Sequence, residues 1–322
     1  MHNHHKSYEF NSKVVSFVFA GVLILAGSVV FTKDGHSQSF ADPELASAEY
    51  GKRLIRETRS LLGPDQADQS KQYSGNRLDC SSCHLDSGSA TGALSLLQTA
   101  TRYPRPSGRD GGVRDLKDRI NGCMQRSMNG RPFARDSLEL AAMENYILSL
   151  NVQFSAMSDI EKEVHDPADF VEPARSASVE AGQSVYETRC LICHQENGGG
   201  LQKTADIKDG YVFPPLWGDD SYNNGAGMNR VLTAARFIKA KMPFGAPTLT
   251  DDEAYDVSAY INSKPRPQKA DLELDFPDLT QKPVDSPYPP YADPFSQEQH
   301  RLGPFAPIRE FYESLSKDES SP

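Results

Sequence analysis

Apolar positions along this chain fall into two kinds of pattern. The first is an uninterrupted run, "VVSFVFAGVLILAGSVVF" (14–31), preceded by Lys6 and Lys13. The second is the three-and-four spacing of amphipathic helices, and it recurs in matched places. "AAMENYILSL" (141–150) and "YDVSAYINSK" (255–264) share Tyr-Ile-x-Ser, with Tyr146 and Tyr260 114 residues apart. "AEYGKRLIRET", containing Gly51, and "EAGQSVYETRC", containing Gly182 and capped by Ser178, predict an earlier helix in each half. A basic segment, "RINGCMQRSMNGRP" (119–132), predicts one more, stopped by Gly130 and Pro132. The pattern therefore predicts a mainly α protein with a duplicated unit over 42–156 and 178–265, joined by an acidic, Pro-containing linker at 157–177. Residues 265–322 hold eleven of the 22 prolines, a density that argues against regular helix or interior sheet. They also hold Phe276, Tyr288, Tyr291, Phe295, Phe305, Phe311 and Tyr312, which a disordered tail usually lacks. The expectation for 266–322 is an extended, Pro-rich strap wrapped over the folded units.

The apolar run changes the compartment. "SFA" at 39–41 offers small residues at the −3 and −1 positions of a signal-peptidase site, so residues 1–41 read as a cleaved export signal. At 18 residues the run is close to the ~20 that span a bilayer, which leaves an uncleaved anchor as the alternative. Either way the bulk of the chain is expected in the periplasm. The formal net charge of −10 argues against nucleic acid as a partner. A hydrophobic fraction of 38% with one Trp is lean for two cores, so something other than side chains is expected to fill them.

The cysteines supply that filler. Four of the five stand in two identical frames, Cys-Ser-Ser-Cys-His (Cys80, Cys83, His84) and Cys-Leu-Ile-Cys-His (Cys190, Cys193, His194). This is the attachment string of c-type haem: two thiols bond the haem vinyl groups and the histidine becomes an axial iron ligand. A zinc knot of four thiolates is the alternative, but it has no use for a histidine after both pairs. The order of helix, Cys-x-x-Cys-His, long loop and last helix resembles the class I cytochrome c plan twice over, with two covalently bound haem c as cofactors. In the second unit Met242 precedes Pro243 and the final helix, where a sixth ligand is expected, with Lys241 and Met228 as rivals. In the first unit the matching place holds Cys123, 39 residues after His84, with Met124 and Met128 as competing ligands. The blander readings of Cys123 are a buried inert thiol or an intermolecular disulfide. From Arg102 to Arg135 there are nine Lys or Arg against three Asp, in a chain that is acidic as a whole. Such a cluster points to an anion site, and helical spacing puts Arg119, Cys123 and Ser127 on one face.

Taken with "GRDGGVRDLKDRINGCMQRSMNG", "FPPLWGDDSYNNGAGMNR", "KMP" and "DSPYPPYADPFSQEQHRLGPF", the chain resembles the dihaem c-type thiosulfate dehydrogenases, which include bifunctional thiosulfate dehydrogenase/tetrathionate reductases. The resemblance implies that the His/Cys haem is the active site, with His84 and Cys123 on its iron and Cys123 also the catalytic thiol. It implies Arg109, Arg119 and Ser127 as substrate contacts, and Met242 and Lys241 as alternative, redox-dependent ligands opposite His194. Thiosulfate and tetrathionate are then the substrates of the two directions. Electrons would pass to an external partner such as a small cytochrome c or another periplasmic acceptor. Two readings of other classes compete: a plain electron-transfer cytochrome in which Cys123 only sets a potential, and the His/Cys-haem subunit of a sulfur-oxidising complex.

Overall fold

The structure is a computed structural model that describes residues 46–163 and 170–319. The export segment expected at 1–41 lies outside the described residues. The first half contains α1 (Ala48–Arg56), α2 (Thr58–Leu62), a two-residue ribbon of β1 (Arg105–Pro106) and β2 (Val113–Arg114), then α3 (Leu116–Arg126) and α4 (Leu138–Ala156). A short α5 (Asp159–Glu163) falls in the segment read as a linker. The second half contains α6 (Val179–Arg189), α7 (Leu191–His194), a ribbon of β3 (Leu201–Gln202) and β4 (Tyr211–Phe213), then α8 (Val231–Lys241) and α9 (Asp251–Asn262). Both ribbons are antiparallel.

The halves are organised by the same helix crossing. Ser47 caps α1 by accepting from the Tyr50 amide, and the helix buries Gly51, Leu54 and Ile55, one stripe at three-and-four spacing. Gly51 lies against the Ala142 carbonyl and the Tyr146 side chain of α4. In the second half Ser178 caps α6, and Gly182 lies in the same way against the Asp256 carbonyl and Tyr260 of α9. A β-carbon at either glycine would sit on the opposing carbonyl and 2.9 Å from the tyrosine Cβ, so the helices cross this closely only because both residues lack a side chain. The Tyr-Ile-x-Ser repeat is thus one half of a glycine–tyrosine contact. Beyond the crossing, Leu54, Leu140, Met143 and Ile147 are among the core of the first half, and Tyr186, Ala254, Val257 and Tyr260 among that of the second.

Buried amides lock the halves together. Asn76, fully buried, donates from Nδ2 to the Ser127 carbonyl at 2.9 Å and the Ser221 carbonyl at 3.1 Å. Asn223 donates from Nδ2 to the Gln125 carbonyl at 2.9 Å, and its amide to the Arg126 carbonyl at 3.1 Å. At the end of α3 the Gln125 and Arg126 carbonyls are therefore satisfied by the opposite half, and the Ser127 carbonyl by Asn76, which itself reaches across to Ser221. The helix ends at Arg126 with Ser127 as its C-cap, three residues before Gly130.

The tail corrects one sequence expectation. Residues 265–296 do run without α-helix, but α10 (Gln297–Leu302) and α11 (Ala306–Glu319) follow. The prolines permit this because of where they stand. Pro304 falls between the helices and Pro307 in the first turn of α11, where a missing amide hydrogen leaves no bond unmade. Phe305 and Ile308 are buried in the second half. The irregular part is tied down by carboxylates. Asp285 accepts from Arg230 at 2.7 Å and from the Leu232 amide at 3.1 Å. Asp275 accepts from Arg109 at 2.7 Å, Arg126 at 2.6 Å and the Tyr288 hydroxyl at 2.8 Å. Burial pushes the Asp275 carboxyl up, but the Arg126 hydrogen bond and the charges of Arg109 and Arg126 more than offset it, leaving it below the usual carboxylate range.

Two outcomes are expected. Gly51→Ala and Gly182→Ala should each lower stability by about 1–3 kcal/mol through overpacking, whereas Gly112→Ala, with nothing within 4 Å, should leave the thermal midpoint where it is. Equal midpoints for all three would remove the crossing as a constraint. Asp275→Asn leaves two arginines sharing no carboxylate and should cost on the order of 3 kcal/mol at neutral pH. Because the folded-state pKa is depressed, the stability that Asp275 contributes is present above the ordinary carboxylate pKa and lost as pH falls through the lowered one. The gap in urea midpoint between variant and wild type should therefore shrink in acid.

Candidate active site

Each Cys-x-x-Cys-His string is pinned by backbone. The Thr58 hydroxyl at the start of α2 donates to the Leu54 carbonyl at 2.7 Å and accepts from the Cys80 amide at 3.1 Å, tying the first string to α1. The second string continues directly from α6 into α7. His84 donates from Nδ1 to the Leu94 carbonyl at 2.6 Å, and His194 from Nδ1 to the Pro214 carbonyl at 2.9 Å. A carbonyl can only accept, so in both rings Nε2 is the nitrogen left with a free lone pair, the state an iron ligand needs. Cys190 and Cys193 border a cavity of about 400 Å³ together with His194 and Met242. Cys80 and His84 border two adjoining spaces of about 420 and 400 Å³, both of which also touch Cys123. Cys83 borders the second cavity as well as the first, but among the described residues the thiols do not gather into a group that could hold one metal ion, and each half offers two thiols, a lone-pair nitrogen and apolar walls. The residues present fit a covalently attached haem in each half.

Cys123 stands in the middle of α3, whose start is fixed by reciprocal hydrogen bonds between Asp115 and Asp118 and whose end is fixed by Asn76 and Asn223. Its sulfur accepts from Arg119 Nη1 at 3.0 Å and faces the His84 imidazole. Burial pushes the thiol up, but the Arg119 charge and the His84 contact more than offset that and bring it to about 7. Of the competing side chains, Met124 is 1% exposed and packs in the core of the first half, and Met128 is 3% exposed. Cys123 is the one set between His84 and a guanidinium. Ser127 borders the same space one turn on.

Arginine dominates the walls of the larger first-half cavity. Arg105, Arg109, Arg114, Arg119, Arg126 and Arg230 all line it, and Asp79 is the one acidic residue that does. Arg109, expected here from the sequence, is brought to the cavity but shares Asp275 with Arg126 and also packs over the Phe276 ring at 5.0 Å. Sequence reasoning missed Arg126, Arg230, Asp275 and Tyr288. Arg126 lay within the basic run that was recognised, whereas the strap's aromatic density was the only hint of Asp275 and Tyr288.

Opposite His194, Met242 is the C-cap of α8 and borders the second cavity. The Lys241 ammonium donates to the Thr91 carbonyl of the first half and does not line that cavity. Met228 borders both this cavity and the larger first-half one, as do Cys83 and Tyr222. The two prosthetic-group spaces therefore share a wall.

Comparison with known proteins agrees with this geometry. Residues 68–152 match the family model described as SoxA/TsdA, cytochrome c domain, and residues 179–264 match the model described as cytochrome c. A thiosulfate dehydrogenase of Stutzerimonas stutzeri is 35% identical over 239 residues, covering 73% of this chain and 75% of that protein. One of Allochromatium vinosum is 35% identical over 260 residues, covering 78% and 93%. The solved structure of the thiosulfate dehydrogenase TsdBA from Marichromatium purpuratum superposes with a TM-score of 0.61 at 34% identity, over 75% of this chain and half of that one. With two cytochrome c domains, each carrying a covalently bound haem c, the chain belongs to the dihaem thiosulfate dehydrogenase family.

Proposed function

We propose that this protein oxidises two thiosulfates to tetrathionate at Cys123 and passes the two electrons to an external redox partner. The observation that carries the reading is the Cys123 sulfur, 3.0 Å from Arg119 Nη1 and bordering the same cavity as His84, in a space walled by six arginines and one carboxylate. Two dianions have to be brought together, and their mutual repulsion is a large part of the barrier. Guanidinium groups fixed in a partly dry cavity offset that repulsion without reorganising during the reaction. A haem held by Cys80, Cys83 and His84 would supply acceptance of one electron at a time, and one held by Cys190, Cys193 and His194 would supply an onward route.

In this reading His84 and Cys123 hold the first iron, and His194 with Met242 the second, with Lys241 as the alternative to Met242. Arg119 orients the thiolate and, with Arg109 and Ser127, binds substrate. The Cys123 thiolate bonds the outer sulfur of one thiosulfate, releasing two electrons and leaving a Cys–S–S–SO₃⁻ adduct. The outer sulfur of a second thiosulfate then attacks the adjacent sulfur of that adduct, forming the central bond of tetrathionate and returning Cys123 as thiolate. Read backwards, the same steps reduce tetrathionate, so the site supports both directions. The apolar run at 14–31 supports a periplasmic location, where haem c is attached and small cytochromes are available as acceptors.

Three measurements test this. In steady-state assays with a small neutral acceptor, Arg119→Gln and Arg109→Gln should each lose ten- to a thousand-fold in kcat/KM for thiosulfate, about 1.4–4 kcal/mol of charged contact. The loss should persist at high salt; a loss that vanished with a small acceptor would mark a docking patch instead. Cys123→Met should abolish the thiolate-type low-spin EPR signal of the oxidised protein, and survival of that signal would return the ligand role to another residue.

A further inference from the structure

We propose that Arg105 and Arg114 form an outer sulfonate subsite, which holds the second thiosulfate, or the far end of tetrathionate, at the mouth of the Cys123 cavity. The inference rests on the thiosulfate reading above and deepens it. In the ribbon of β1 and β2, Arg105 is the direct cross-strand partner of Arg114. Side chains of directly opposed residues share a face, and like charges placed so destabilise the pairing. A ribbon only two residues long gains little to set against that repulsion, and the single carboxylate beside it, Asp110, leaves the pair with a net positive charge that suits an anion.

The two side chains are presented rather than spent. Arg114 is gripped at Nε by Asp110 at 2.6 Å, which fixes its plane and leaves the terminal nitrogens free. Its Nη1 lies beside Gly122, the neighbour of Cys123, at 3.6 Å from where a β-carbon there would stand. Arg105 is exposed, packs over the Tyr103 ring at 5.3 Å and has no carboxylate partner among the described residues. Both line the cavity that holds Cys123, Arg119 and Ser127. Arg126 is engaged by Asp275 and Arg230 by Asp285, while Arg109 gives one terminal nitrogen to Asp275 and keeps its others. The cations with donors left for ligand are thus Arg119 beside the sulfur, Arg109 through its remaining nitrogens, and the Arg105–Arg114 pair.

That division matches the chemistry. Two thiosulfates must meet through their outer sulfurs, so their sulfonates point away from each other, and tetrathionate carries one at each end. A site with a single anchor would bind one substrate and leave the other to collide unoriented. The inner anchor beside Cys123 fixes the first sulfonate, and the arginine pair fixes the second with its sulfur directed inward, converting a collision between two dianions into a bound encounter. The planar, forked guanidinium suits sulfonate oxygens better than a point charge does.

The test uses ethane-1,2-disulfonate, in which two methylenes replace the central sulfurs of tetrathionate and no redox or exchange chemistry is open, against ethanesulfonate, which has one anionic end. Calorimetric titration of the oxidised holoenzyme should show the disulfonate binding at least ten-fold more tightly than the monosulfonate. In Arg105→Gln with Arg114→Gln that ratio should collapse towards one, while the haem spectrum and thermal midpoint stay as in wild type. The single variant Arg105→Lys should keep part of the ratio. A ratio that survives in the double variant, or is absent in wild type, overturns the subsite. Failure of wild type to oxidise thiosulfate would instead overturn the reading on which it rests.

Discussion

Six guanidinium groups around one cavity repel one another, and the rest of the structure depends on how that charge is balanced. Asp79 at the wall is not enough. Asp110 serves Arg114, and the rest of the counter-charge comes from the strap, where Asp275 serves Arg109 and Arg126 and Asp285 serves Arg230. Asp285 is buried to 1% exposure and Asp275 to 7%, so both bonds operate in a medium where an unpaired charge is far more costly than in water. The Pro-rich segment is therefore part of the candidate site's electrostatics. It pairs Arg126 and Arg230 with buried carboxylates and takes one donor of Arg109, while Arg105 and Arg119 have no carboxylate partner among the described residues.

The same segment shows where the sequence stopped being legible. The paired Cys-x-x-Cys-His strings, the glycine–tyrosine repeat and the odd cysteine could all be read, because each is a local pattern whose chemistry is contained within a few residues. Asp275 could not: its partners Arg109 and Arg126 are 166 and 149 residues away, and nothing in "LELDFPDLT" separates a structural carboxylate from a solvated one. The helices at 297–302 and 306–319 were missed for another reason. Proline was counted over the whole tail, whereas its effect depends on position, and Pro307 occupies a place where a helix tolerates it. The facing of Arg105 and Arg114 was illegible too, since a two-residue ribbon carries no alternation from which a register could be inferred.

The two halves behave as one object around α3. Asn76 and Asn223 satisfy its last carbonyls from outside the helix, and Cys83, Tyr222 and Met228 stand in the wall shared by the two prosthetic-group spaces. Rotation of one half against the other would break these buried amide bonds and leave helix-end carbonyls unpaired, at about 1–3 kcal/mol each. A fixed wall means a fixed separation between the groups on either side. In the proposed function, electron passage out of the first half would then need no domain movement, because the cross-half bonds of Asn76 to Ser221 and of Asn223 to Gln125 hold the wall.

Arg119 joins these levels in one side chain. Its Nη1 donates to the Cys123 sulfur, lowering the thiol toward 7 against the rise that burial alone would cause. A guanidinium carries five N–H donors in a rigid fork, so this contact leaves others free to meet an anion in the same cavity. A lysine would have to divide one compact charge between sulfur and substrate. In the proposed reading the arginine would hold both within the breadth of a single planar group, so the thiolate and the sulfonate next to it would be aligned by the same rigid object. That alignment requires Arg126 and Arg230 to be kept from competing for the same anion, and Asp275 and Asp285, the carboxylates that tie the strap down, hold them.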